Sequence, residues 1–439
     1  MKDTKKAIQT LEELLTAGVS PYHAVKHSID RLEKAGFTEL KPGKAWEVKA
    51  GNSYYVNLYG SSLIAFSIGA SVEEGGNAPK IRMAASHTDW PCLRVKPTPE
   101  MNQGGYGLLN VECYGGLLLQ TWLDRPLSMA GRVCIRGKDA FHPEEKLVDC
   151  KRPLLMVPTL ANHIKRENEK NAEPNKQTDM LPILTRLTEK LEHEDFFLEL
   201  LSKEVGVEKS DILDYEFYIY NCEKGTFWGL EEEFYSSPRL DNLTSVEACV
   251  SGILSASRQG RKDDTISLIA LYDNEEVGSR TKQGAASAAI DRIMEKLYLA
   301  LGFSRDQYLS AIFKSFLLSM DVAHAYHPAK PNNYDPKNRS LLGDGVVIKM
   351  SSTQTYATDS TAVSVLEELC REHKIPYKKF SNRSDIRGGS TLGSISSCAL
   401  AVKAADIGVG LLAMHSAMET MGAADQWALN SLVKAFFED

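Results

Sequence analysis

At 439 residues the chain is long enough to bury a sizeable core and to divide into two domains. Its 43% hydrophobic and 25% charged residues are the proportions of a soluble globular protein. A net charge of −7 without a basic tract argues against nucleic acid or an anionic membrane as partner. No apolar run has the length of a bilayer span, and the charges of Met1-Lys2-Asp3-Thr4-Lys5-Lys6 break up any signal-peptide core. Eight cysteines lie scattered without a C-x-x-C pair, which fits reduced thiols in a cytoplasm rather than a disulfide frame or a cysteine-zinc cluster.

Residues 4–35 read as two helices broken at Gly18-Val19-Ser20-Pro21, with Ser20 as N-cap and Pro21 at the first helical position. Residues 53–69 alternate and run apolar as a hairpin would; 79–86 form a strand that delivers His87-Thr88-Asp89 at its end. From 93 to about 230, short β-like runs and glycine pairs predict a compact β-rich insertion. Within it, a polar loop is expected over 166–178 and a helical stretch over 181–205. A turn then leads Asp241 into a helix over 242–257. The apolar run 265–272 reads as a buried strand ending at Asp273-Asn274-Glu275-Glu276, followed by an Ala-rich helix over 280–301. Further strands cover 316–320, ending at Asp321, and 345–349; a helix covers 360–373 and a turn 388–393. A strand over 405–414 ends at His415, and a helix over 423–437 follows. This order predicts an α/β fold, a doubly wound mixed sheet flanked by helices, built from 1–92 and 231–439 around an inserted β-rich domain at 93–230.

Such a sheet gathers its strand ends on one edge, so His87, Asp241, Glu275, Glu276, Asp321 and His415 are expected to converge. Glu275 and Glu276 side by side would repel unless a cation or a shared proton held them. Two histidines and three carboxylates, with one carboxylate left over, suit a pair of zinc-like ions, each with one histidine, one terminal carboxylate and one shared carboxylate. Water between such ions becomes a nucleophile near neutral pH, and the remaining glutamate takes its proton, which points to metal-assisted hydrolysis. In His87-Thr88-Asp89 the carboxylate can fix the tautomer of the imidazole.

His87-Thr88-Asp89, followed by Pro91-Cys92-Leu93-Arg94-Val95-Lys96-Pro97, resembles the aspartyl aminopeptidase family of di-zinc metallopeptidases. So do Pro238-Arg239-Leu240-Asp241-Asn242, Asp273-Asn274-Glu275-Glu276-Val277-Gly278-Ser279, Met320-Asp321-Val322-Ala323-His324-Ala325 and Met414-His415-Ser416. Weaker echoes at Ser20-Pro21-Tyr22-His23-Ala24-Val25 and Asn175-Lys176-Gln177-Thr178 extend the likeness over essentially the whole chain.

The resemblance implies that Asp241 bridges two ions, with His87 and Asp321 completing one site and Glu276 and His415 the other. It implies Glu275 as general base and Asp89 as the group that orients His87. Zinc is the expected metal, while cobalt and manganese suit the same ligands. The family's inserted domain makes dimers and sends a histidine, matched here by His163, into the neighbouring active site. Residues matching His324, Lys349 and Tyr356 contact substrate, a lysine being a sensible counter-charge for an acidic side chain. The implied substrates are short peptides with a free N-terminus, and the implied assembly is a homo-oligomer of dimers forming a tetrahedral dodecamer.

Trp90 departs from the family, which usually has a small residue there; Thr159 replaces a usual histidine, and Thr355 stands where a basic residue is common. The bulk of Trp90 would narrow the cleft, and loss of charge at Thr355 would relax preference for Asp or Glu. His327 has no assigned role. A related dipeptidase or deacylase and a non-catalytic assembly or cargo protein that kept the fold are the alternatives.

Overall fold

The computed structural model describes residues 2–167, 172–188, 195–257, 263–386 and 388–439. Two compact units are present: one built from Met1–Asp89, Gly225–Met414 and Glu419–Asp439, the other from Trp90–Lys224 and His415–Met418.

The first unit opens with helices α1 (Lys2–Ala17) and α2 (Pro21–Lys34). Ser20 caps α2, its hydroxyl accepting from His23 N at 3.3 Å, and Pro21 occupies the first turn. Strands β1 (Thr38–Glu39), β2 (Ser53–Leu58), β3 (Ser62–Ile68) and β4 (Ile81–His87) follow, β2 and β3 pairing as the expected antiparallel hairpin.

The second unit is a six-stranded antiparallel sheet of β5 (Cys92–Gln103), β6 (Tyr106–Tyr114), β7 (Leu127–Asp139), β8 (His142–Asp149), β9 (Ile183–Arg186) and β10 (Ile212–Asn221) in the order β8-β7-β10-β5-β6-β9. Helix α3 (Phe196–Val205) lays Phe197 and Leu201 onto it, with Phe197 stacked edge-on against Phe217. The chain returns to the first unit with β11 (Thr226–Trp228), β12 (Phe234–Ser237), α4 (Leu240–Ala256), β13 (Ile266–Tyr272), α5 (Ala289–Ala300) and α6 (Arg305–Ile312). It continues through β14 (Phe316–Met320), β15 (Ala323–His324), β16 (Val346–Met350), α7 (Ser360–Glu372), β17 (Tyr377–Ser381) and α8 (Leu392–Leu400). Last come β18 (Lys403–Gly408), β19 (Gly410–Leu412), β20 (Glu419–Gly422) and α9 (Asp425–Glu438).

In the first unit the main sheet runs β1-β2-β3-β13-β4-β14-β18-β16-β17, with β13, β4, β14 and β18 mutually parallel at its centre and antiparallel pairs flanking them. Met83 and Leu268 share one buried cluster with Tyr298 of α5 and Tyr308 of α6, which covers one face. Helices α4 and α9, packed on β4 and on each other, cover the opposite face, as a sheet buried on both sides requires. A smaller sheet, β11-β12-β20-β19-β15, joins the same unit.

Three elements differ from the sequence reading. The helix expected over 280–301 begins only at Ala289: Asp273 N donates to Gln283 O and Ala286 N to Ser279 O, so 280–288 folds back in turns. Within the stretch read as helical over 181–205, Ile183–Arg186 is a strand paired with β6; 189–194 lie outside the described residues, as do 168–171 of the polar loop. The strand expected over 405–414 is two strands in different sheets. At Gly408 a Cβ would lie 1.9 Å from Asp321 O, so the chain crosses another backbone closely there before Gly410 starts β19.

The spacing of α4 from α9 depends on Gly252, where a Cβ would lie 2.5 Å from Val433 Cγ1. Gly252→Leu is expected to lower the free energy of unfolding by about 1–3 kcal/mol in equilibrium urea denaturation. An unchanged midpoint would show that the two helices have slack between them.

Candidate active site

Three neighbouring parallel strands bring their carboxyl ends together. His87 closes β4 opposite Tyr272 of β13, Glu275 and Glu276 follow β13, and Asp321 follows β14. This edge is where open α/β sheets hold their ligands. His87 is buried, its Nδ1 3.1 Å from the backbone oxygen of Asp89 and 3.4 Å from Asp89 Oδ1. Because a carbonyl only accepts, Nδ1 carries the proton there and Nε2 is turned to the site. Nε2 stands 3.6 Å from Asp241 Oδ1 and 3.5 Å from Asp321 Oδ1.

Asp89 does more than orient the imidazole. Its Oδ1 accepts from Glu275 N and its Oδ2 from Glu276 N, each at 3.1 Å, so both oxygens clasp the turn that carries the two glutamates. That turn is a short 3-10 segment entered through Asn274 at φ 65° and left through Gly278 at φ 100°. The positive φ at both ends lets successive N–H groups face one carboxylate, and at Gly278 it suits the one residue without a Cβ.

Asp241 stands at the head of α4, but Asp241 and Asn242 have non-helical backbone angles. Asp241 N donates to Glu419 Oε2 at 2.9 Å, and Asn242 Nδ2 donates to Met320 O at 2.9 Å, which moors the α4 start to the end of β14. Asp321 is moored in turn: its N donates to Ile407 O at 2.9 Å, and Lys349 Nζ donates to Asp321 O at 2.9 Å and Val322 O at 3.1 Å.

Lys349 is buried, with Nζ 5.2 Å from the Tyr356 ring; Tyr356 is buried too and its hydroxyl accepts from Asn382 Nδ2 at 3.3 Å. His324 is exposed on β15, and Thr355 donates to Ser351 Oγ at 2.9 Å within the loop that also bears Tyr356. His327 is exposed, its Nδ1 accepting from Ala329 N.

Three expected residues lie in the second unit. Trp90 is buried, and His163 is exposed in the 3-10 turn Asn162–Ile164. His415 opens the segment His415–Met418, where its Nδ1 donates to Gly116 O at 3.1 Å. As in His87, that leaves Nε2 as the nitrogen with a lone pair to offer.

The charges explain one another. Burial alone would lower the His87 pKa, but hydrogen bonds to Asp321 and Asp89 and the charge of Glu275 hold it well above the usual imidazole range. Burial first, then repulsion from Asp321, Asp89 and Asp241, pushes the Glu275 carboxyl up to about 8 against the pull of His87. Asp273 is raised to about 7 by burial and by the charge of Asp89.

Candidate ligand atoms of His87, Asp241 and Asp321 lie within 4.8 Å of one another, as do those of His87, Glu275 and Glu276 and those of Asp241 and Glu276. Tetrahedral bonds of about 2.0–2.2 Å keep ligand atoms roughly 3.3–3.6 Å apart, and the two Nε2 distances of 3.5 and 3.6 Å match. A donor set of one imidazole and several carboxylates, crowded beyond what their repulsion allows unaided, fits divalent cations.

Glu419 and Asn242 were not legible as site residues. Their roles are hydrogen bonds to backbone atoms remote in sequence, and Glu419 gives only the weak signal of one carboxylate among apolar neighbours.

Comparison with known proteins follows the same lines. The family model described as aminopeptidase I zinc metalloprotease (M18) matches residues 14–437. The chain is 39% identical over 439 residues, covering 100% of both chains, to a probable M18 family aminopeptidase 2 of Clostridium acetobutylicum. It is 33% identical to the aspartyl aminopeptidase of Caenorhabditis elegans, over 99% of this chain and 96% of that one. A chain of the solved Ape4 and Nbr1 complex superposes with a TM-score of 0.93 at 31% identity, covering 99% of this chain and 86% of that one.

In the metal-free state a cation must displace the second proton of His87 and compete with protons at Glu275. Uptake of zinc is therefore expected to release protons, with affinity falling about tenfold per pH unit for each proton displaced as the pH is lowered. Calorimetric titration in buffers of different ionisation enthalpy measures this. Affinity independent of pH would contradict the protonation states described.

Proposed function

Because the chain belongs to the aminopeptidase I zinc metalloprotease family, we propose that it removes the N-terminal residue from short peptides with Glu275 as general base. The observation that carries this reading is the meeting of His87, Asp241 and Asp321 ligand atoms beside the Glu275-Glu276 turn. In the proposal His87, Asp321 and Asp241 hold one divalent ion; Asp241, Glu276 and His415 hold a second. His415 is one peptide bond beyond Met414 of the first unit, with Nε2 as its donor. Zinc is the metal the family description supports, and cobalt or manganese would accept the same ligands.

When bound, the two ions would polarise the scissile carbonyl and acidify a water between them. Glu275 would take a proton from the attacking water and pass it to the leaving amine. Asp89 keeps His87 in the tautomer that offers Nε2 and holds the Glu275 backbone, so the base meets its proton at a fixed place.

Preference for an acidic N-terminal residue is the finer part of the proposal. Lys349 gives two of its three donors to Asp321 O and Val322 O and stands 3.7 Å from Asp321 Oδ2; its charge is what would attract a substrate carboxylate beside Tyr356. His324 is a further contact. Thr355 brings no cation to this wall, so selectivity for Asp over Glu or neutral residues is where this chain would differ from relatives. The second unit, in this reading, makes dimers and supplies the partner subunit's His163 to the site, dimers assembling into a dodecamer that admits only short peptides. None of the eight cysteines is in a disulfide, which suits a cytoplasmic placement, and no helix among the described residues is long and apolar enough to cross a membrane.

Glu275→Gln is expected to cut kcat by about 10²–10⁴ while bound metal is retained, because only the proton carrier is lost. Undiminished hydrolysis in that variant would remove Glu275 from the mechanism. A panel of aminoacyl substrates should run faster with N-terminal Asp or Glu than with Leu or Ala; the reverse order would end the acidic-substrate reading and leave the hydrolysis standing.

A further inference from the structure

The fully buried carboxylate of Asp406 takes no part in the chemistry above, yet it ties together several segments around Lys349 and Tyr356. Its Oδ1 accepts from Ser319 Oγ of β14 and from Thr391 Oγ1 at 2.6 Å; its Oδ2 accepts from Ala357 N. Asp406 N donates to Thr358 Oγ1 at 2.8 Å, so the loop between β16 and α7 is bound on both sides of Ala357. Thr391 N also donates to Thr355 O at 3.4 Å, which joins the segment before α8 to that same loop. A Cβ on Gly393 would lie 2.5 Å from Asp406 Oδ1, so the first turn of α8 meets the carboxylate with backbone alone, where its N-terminal dipole favours negative charge.

Across the antiparallel pair of β16 and β18, Asp406 is the register partner of Lys349. Burial pushes the Asp406 carboxyl up while the Lys349 charge and the donors from Ser319, Thr391 and Ala357 pull it down. A buried ammonium without a nearby counter-charge is costly; Asp321 Oδ2 stands 3.7 Å from it, and Asp406, its partner across the strand pair, adds a second negative charge.

We infer that Asp406 is the positioning residue of the pocket for the substrate's N-terminal side chain, holding the Tyr356 loop and Lys349 in register without touching substrate. The inference rests on the reading of Lys349 and Tyr356 as substrate contacts. Asp406 therefore acts on selectivity through Lys349 and the Tyr356 loop, while Glu275, held by its own bond to Asp89, acts on turnover.

The test compares Asp406→Asn, Thr391→Val, Thr391→Ser and Lys349→Met in the full-length, metal-loaded protein. KM and kcat are measured on Asp-, Leu- and Ala-terminated substrates, with metal content alongside. Asp406→Asn is expected to raise KM for the preferred residue on the order of tenfold, as loss of hydrogen bonds to a charged group does, with kcat and metal content retained. Thr391→Val should move KM in the same direction by less and Thr391→Ser should restore it; if Asp406→Asn does not fold, the Thr391 pair carries the test. If Lys349→Met changes the order of preference and neither Asp406→Asn nor Thr391→Val does, the inference is overturned. If Lys349→Met leaves the order unchanged, the substrate-contact reading beneath it is overturned instead. An equal loss of kcat on every substrate, together with lost metal, would mark Asp406 as a scaffold residue and also overturn the inference.

Discussion

Asp89 is fully buried, and each of its carboxylate oxygens accepts one backbone N–H of the turn after β13, Glu275 on one and Glu276 on the other. The same residue holds His87 Nδ1 through its backbone oxygen. Hydrogen bonds to a charged group are worth about 1.5–3 kcal/mol each, and they fix direction as well as distance. One residue, through its backbone oxygen and its carboxylate, thus sets the aim of the imidazole and the place of both glutamates, on two neighbouring strands. Asp241 and Asp321 are then brought to the same edge by bonds of their own, through Glu419, Asn242 and Lys349.

The cost of this arrangement is electrostatic. Asp89, Asp241, Asp273, Glu275, Glu276 and Asp321 crowd one edge, and the raised pKa values of His87, Glu275 and Asp273 are its signature. Protons relieve the strain of like charges in the metal-free protein, and divalent cations would relieve it more fully. Ionisable groups perturbed by burial and by one another at a strand edge are a pattern expected of functional sites more than of structural ones.

Much of this was legible in the sequence, and the reasons differ by element. The helix start at Ser20-Pro21, the 53–69 hairpin and the strands that deliver His87 and Asp321 all follow from local pattern, and each is found where expected. Convergence of His87, Asp241, Glu275, Glu276 and Asp321 follows from the topology of a doubly wound sheet. The turns over 280–288 escaped because an Ala-rich stretch reads as helix until its N–H groups are seen to bond back toward β13. The break at Gly408 escaped because an apolar run shows no sign of changing sheets. Glu419 and Asp406 were silent for a related reason: a lone carboxylate in an apolar strand has no period, and its partners lie far away along the chain.

The central claim is that these side chains grip two cations with Asp241 common to both. Anomalous diffraction from zinc-soaked crystals at the zinc edge tests it most directly. Two peaks are predicted, about 3.5–4 Å apart, one against His87 and Asp321, and both within bonding distance of Asp241. A single peak, or peaks that leave Asp241 untouched, would contradict the account.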